Sequence, residues 1–356
     1  MRRLRRALVL LAASLAVSAL VVVFRDLNAA GVFAGVDARS PGPCSPIAVS
    51  GGIEDLQIDP RDGLLFAALV GGATKLSTPG ERDGIYAMAL GRPETGFTRL
   101  SGTPANFHPT GLSLFRGGNG ALVLAAVDHP KGQDPAIEIF NVRAPRGTAS
   151  LVEIARVAGG LLVDPVAVAA AGPDQFYVTN GSTSATELGR LLEAFVLLPR
   201  GNVVFFDGNV LRIVANGLNS ASGVQLSPDG THVYVATATG RTLHTFARNP
   251  FSGALSEEGT LVIGAGLGNI RQDAAGDLWI AAHPQRLERS LQGPSARLAT
   301  QVFKVPLSQT IPKSAALVYA DSGAGLNEAS VAAVAEGNLY VGGPNDSRLL
   351  RCRLQR

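Results

Sequence analysis

Apolar and polar positions alternate along this chain in short bursts, and six bursts share one phrase. The copies are Leu64-Leu65-Phe66-Ala67, Leu122-Val123-Leu124-Ala125, Gln175-Phe176-Tyr177-Val178, His232-Val233-Tyr234-Val235, Asp277-Leu278-Trp279-Ile280 and Asn338-Leu339-Tyr340-Val341. Each follows a turn signal such as Asp62-Gly63, Asn119-Gly120, Gly172-Pro173, Asp229-Gly230, Gly276 or Gly337. The third residues of the copies are separated by 58, 53, 57, 45 and 61 residues. Four short strands with their turns need roughly 40–60 residues, so each interval holds one propeller blade. The spacing predicts an all-β, six-bladed β-propeller over residues 44–356, with its chemistry in the central channel. Asp59-Pro60-Arg61-Asp62-Gly63 and Ser227-Pro228-Asp229-Gly230 carry the Pro and Gly of tight hairpin turns.

Three segments depart from this pattern. Ala7–Phe24 is a run of 18 uncharged residues behind Arg2, Arg3, Arg5 and Arg6. At about 1.5 Å per residue it is just long enough to cross a bilayer core. Residues 1–24 therefore read as a signal anchor or transmembrane helix, with a cleaved signal peptide as the competing reading. Residues 25–43 read as a tether. Either reading makes the protein membrane-anchored or secreted, its bulk facing the periplasm or exterior. Between Ser184 and Leu198, Leu188, Leu191, Leu192, Phe195 and Val196 have helical spacing. That helix is a lid on the ring or a second membrane contact. Residues 286–299 form a charged insertion.

Composition adds bounds. Of 356 residues, 46% are apolar and 17% charged, which fits a turn-rich globular chain. The net charge of +3 becomes −1 without the four N-terminal arginines, so the globular part is nearly neutral. No basic stripe interleaved with aromatics is present, and nucleic acid is not an expected partner. The only cysteines, Cys44 and Cys352, bracket the repeats. In an oxidising compartment they allow one disulfide, which would pin first blade to last. The alternative is two buried free thiols.

About 10–14 residues before each phrase lies the first strand of the blade, the one that faces the channel. One position per blade then points at the axis: Glu54, Thr110, Asp164, Ser222, Asn269 and, in the sixth blade, Ala329-Ser330. This oxygen-rich set suits Ca²⁺ better than zinc or copper. A water-filled polar channel without metal is an equally open reading of these residue types.

The segments Gly52-Ile53-Glu54-Asp55, Phe107-His108-Pro109-Thr110-Gly111-Leu112, Asp128-His129-Pro130, Gly172–Asn180, Ser227–Tyr234, Gly276–Trp279 and His283-Pro284, in this order, resemble the paraoxonase/arylesterase family. Those proteins are six-bladed, Ca²⁺-dependent lactonases and esterases related to gluconolactonases. The resemblance implies catalytic-calcium ligands at Glu54 and Asn269. It implies a second, structural calcium at Asp55, with help from the Leu112 carbonyl. Departures follow from the same comparison: Asp164-Pro165 stands where an Asn-Asp pair is expected, Ser222 replaces an asparagine and Gly268 an aspartate. One axial calcium held by Glu54, Asp164, Ser222 and Asn269 is therefore expected, and the second is doubtful. Of the family's histidine dyad, His129 matches one member. The other position is Thr110, with His108 two residues earlier as its substitute. His283 matches a histidine of the channel mouth. The expected function is Ca²⁺-dependent hydrolysis of a small-molecule lactone or aryl ester. The alternative is a non-catalytic, membrane-anchored propeller that binds or scaffolds.

Overall fold

Each recurring phrase forms the second strand of a four-stranded antiparallel sheet, and six such sheets make up the fold. The computed structural model describes residues 2–29, 35–71, 83–143, 149–184, 186, 188, 189, 193, 197–284 and 296–355. The innermost strands are Gly52–Asp59, Pro109–Arg116, Pro165–Ala170, Ala221–Leu226, Gly266–Gln272 and Val331–Ala335. Each touches the inner strands of the blades on both sides, which closes them into a ring. The all-β, six-bladed expectation is met.

The core is divided among the blade interfaces. Phe66, Leu124, Tyr177, Tyr234, Trp279 and Tyr340, the central residue of each phrase, are all buried. Six apolar clusters each mix residues from two adjacent blades: Phe66 packs with Leu112 and Phe140, and Tyr177 with Val224 and Phe246. A buried ring of this size contributes about 3–5 kcal/mol when measured by truncation to alanine, so the phrases hold blade to blade.

The last blade borrows its outer strand from the beginning of the chain. Cys44–Ala48 pairs antiparallel with Arg348–Arg353, with Cys44 opposite Cys352. Those two cysteines form the disulfide, joining positions 308 residues apart. The pairing expected from the sequence is therefore made, at the seam expected for it.

The N-terminal segment is a helix, Arg2–Ala29. Among the described residues, no helix is long and apolar enough to cross a membrane. The helix is thus observed and the membrane span is not. The tether is partly docked: Arg39 exchanges backbone hydrogen bonds with Ala320, and Pro41 and Pro43 accept from Gln355 and Arg353. In the segment expected to form a lid, Leu188, Gly189 and Glu193 are helical, while Leu191, Leu192, Phe195 and Val196 lie outside the described residues. So do residues 286–295 of the charged insertion.

Candidate active site at the channel axis

A β-bulge recurs at one level of the ring. The inner strands of blades one to five slip register between Ile53 and Asp55, Pro109 and Gly111, Pro165 and Ala167, Ala221 and Gly223, and Leu267 and Ile270. A bulge leaves its extra residue unpaired and turns that side chain away from the sheet. The residues so released are Glu54, Thr110, Val166, Ser222 and the pair Gly268-Asn269. In blade six Ser330 stands just before the inner strand and donates from Oγ to the Ile53 carbonyl, 2.7 Å away. Glycine follows the bulge in two blades because the neighbouring strand is so close. A Cβ on Gly223 would come 2.5 Å from the Gly268 carbonyl oxygen, and one on Gly111 would come 2.7 Å from that of Val166.

Four of the expected axial residues, Glu54, Thr110, Ser222 and Asn269, stand at these bulges. Asp164 does not. It precedes its strand by one residue, the bulge falls on Val166, and Asp164 lines a rim cavity of about 170 Å³ with Ser182, Glu193 and Ser220. Blade three therefore presents an apolar side chain at this level.

The bulge residues differ in what they have left to offer. Asn269 donates from Nδ2 to the Glu54 carbonyl at 3.2 Å, which ties blade five to blade one. Its Oδ1 is buried with no hydrogen-bond partner among the described residues, and so is Thr110 Oγ1. Ser222 Oγ donates to the carbonyls of Leu267 and Ala236. The Glu54 carboxyl is pushed up to about 7, first by burial and then by the negative charges of Glu328, Asp55 and Asp83. Among the described residues, no three His, Cys, Asp or Glu side chains group closely enough to hold a metal. What remains is one carboxylate and neutral oxygens. Two orphaned buried oxygens at the bulge level, and an acid under negative potential, are donors of the kind a hard cation takes.

Asp55 is occupied differently. Its carboxylate accepts from the Leu56 and Leu112 N–H groups and from the Arg271 guanidinium. Asp55 and Arg271 are both buried. Burial pushes Asp55 up to about 6, with Arg271 and the two backbone N–H groups pulling the other way. A second calcium does not fit there, because the guanidinium already stands on its oxygens.

The two histidines are held apart in their bonding. His108 precedes the inner strand, and Thr110 sits in the bulge, so the two-residue alternation of a strand does not carry one to the other's place. His108 Nδ1 instead lies 2.6 Å from Asp83 Oδ2, and its backbone N–H donates to Asp128 Oδ1 at 2.7 Å. The His108 side chain is 42% exposed and that of Asp83 7%. His129 Nε2 lies 2.7 Å from the Pro165 carbonyl oxygen and donates to it. His283 ends the second strand of blade five, opposite Gly266. Sequence reasoning missed Asp83, Asp128 and Arg271. Only Arg271 left a signal, as a lone charge directly after Ile270 in an inner strand.

Comparison with known proteins places this geometry in context. A sequence model described as arylesterase matches residues 54–354. The chain is 28% identical to human serum paraoxonase/arylesterase 2 over 305 residues, 83% of this chain and 84% of that protein. It is 29% identical to the chicken (Gallus gallus) serum paraoxonase/arylesterase 2 over 347 residues, 95% of this chain and 96% of that one. Among solved structures, a luciferin-regenerating enzyme is similar with a TM-score of 0.54 at 11% identity, over 88% of this chain and 95% of that one. The periplasmic gluconolactonase of Pseudomonas aeruginosa gives 0.50 at 14% identity, over 84% and 88%. At those identities the structural likeness concerns the fold alone.

Proposed function

The chain belongs to the arylesterase family, and from that premise we propose that it is a calcium-dependent hydrolase of small lactones or aryl esters, with its site at the bulge level of the channel. The single observation that carries the reading is the Asp83–His108 contact, in the same neighbourhood as Glu54, on which Asp83 acts electrostatically. Glu54 and Asn269 Oδ1 would hold the ion, with Thr110 Oγ1 a further neutral donor. When bound, calcium supplies Lewis-acid polarisation of the ester carbonyl.

The remaining chemistry belongs to side chains. Asp83 is acceptor-only when ionised, so it accepts a hydrogen bond from His108 Nδ1–H and keeps the proton on that nitrogen. His108 Nε2 is then the basic nitrogen, on a side chain open to the channel mouth, and takes a proton from the attacking water. His129 is held by the Pro165 carbonyl, which fixes its ring orientation. The arginine-flanked helix and the disulfide support export to an oxidising compartment.

The test is steady-state hydrolysis of an aryl acetate and a panel of lactones by the full-length protein, with calcium and with a chelator. Turnover that the chelator abolishes and calcium restores is expected. No turnover on any substrate, or turnover indifferent to both the chelator and Glu54→Gln, would return the chain to a binding or scaffold role.

A further inference from the structure

We propose that Arg271 is a built-in cation that replaces a structural metal at the hub of the ring. It reaches from the inner strand of blade five to that of blade one, 216 residues away, and lies on Asp55. Its other N–H groups donate to the carbonyls of Leu56 and Ile270, and one shares the Leu112 carbonyl at 3.3 Å. Gln57 Nε2 donates to the same Leu112 oxygen at 2.8 Å. One side chain thus ties blades one, two and five, with 5% of its surface exposed.

The oxygens are of the kind a hard divalent ion takes: a carboxylate and main-chain carbonyls. A guanidinium offers five N–H donors in a fixed plane, enough to serve several such oxygens at once. It stands within hydrogen-bond distance of them, so a second cation has neither room nor unsatisfied ligands there. The consequence is a hub independent of calcium in the surroundings. This inference rests on Asp55 and Arg271 and not on the hydrolase reading, so either can fail alone.

The experiment uses full-length Glu54→Gln, in which the axial carboxylate is removed. After equilibrium dialysis against excess calcium, this variant is expected to retain no bound ion and to melt at the same temperature with calcium or chelator. About one ion per chain that disappears on adding Asp55→Asn would overturn the proposal. In the same background Arg271→Ala vacates the hub. It is expected to gain a calcium-dependent rise in melting temperature of several degrees, because the oxygens are now unsatisfied. A folded Arg271→Ala protein indifferent to calcium would also overturn it. Should that variant not fold in either condition, the dialysis of Glu54→Gln decides.

Discussion

His108 Nδ1 lies 2.6 Å from Asp83 Oδ2 across the junction of blades one and two. The other Asp83 oxygen accepts the Gly71 N–H at 2.6 Å, so the carboxylate is anchored from its own blade while it orients an imidazole of the next. Replacing Asp83 by Asn removes the charge and allows the wrong tautomer. We expect kcat for ester hydrolysis to fall by roughly 10²–10⁴ with KM little changed, and His108→Gln to cost about as much. The double variant should lose little beyond either single one, since the pair acts as a unit. A merely structural contact would instead lower the melting temperature and leave kcat per folded molecule intact.

The axial site has one carboxylate, and calcium affinity follows ligand charge. Binding in the range of roughly 10⁻⁴–10⁻³ M is expected, as for weak extracellular sites. Titration calorimetry checks this, and Glu54→Gln should abolish both the binding heat and the calcium-dependent turnover.

Arg271→Met leaves Asp55 buried without its cation. The expected loss is about 3–5 kcal/mol in denaturant unfolding, because an uncompensated charge remains inside. Adding Asp55→Asn should recover part of that loss, and the double-mutant cycle reports the coupling.

Reducing Cys44–Cys352, or replacing both residues with Ser, frees the closing strand. A loss of about 2–5 kcal/mol is expected. Early exchange of the amides of Cys44–Ala48 and Arg348–Arg353, ahead of the other blades, would locate that loss at the seam.

Glu138 provides a pH signature away from the axis. It is buried, and its carboxyl is raised from 4.5 to about 7, first by burial and then by Glu153, against the pull of Arg156 and with a further push from Asp128. The folded chain thus holds this proton more tightly than the unfolded one. The contribution favours folding below pH 4.5, declines between 4.5 and about 7, and is spent above that. The span corresponds to at most ~3 kcal/mol. Chemical denaturation across pH 4–8 should show this slope in the parent, and Glu138→Gln should remove it.

Much of the fold was legible in the sequence because the recurring phrase is an interface residue set. Burying Tyr177 or Trp279 between blades demands an aromatic after a turn, and that demand leaves a periodic trace. The disulfide was legible because only two cysteines exist. The bulges at Thr110 and Ser222 left a local trace, a polar residue followed by a glycine that the neighbouring strand crowds. In blade three the polar residue, Asp164, lies two positions from the bulge at Val166, and strand counting cannot place a bulge to within one residue. The Asp83–His108 and Asp55–Arg271 pairs join residues 25 and 216 positions apart. Nothing local marks either pairing, because each depends on how two blades are set against each other.

The borrowed outer strand of the sixth blade sets an order of events. Residue 44 has no docking partner until residue 352 has been delivered. During its synthesis the protein is therefore an open arc whose final sheet has a naked margin, the geometry most prone to pairing with a neighbour. A premature stop that removed only the last ten residues would keep the bulge-level side chains and yet leave both ends of the arc unlatched. Such a chain would carry that unpaired margin for its whole lifetime.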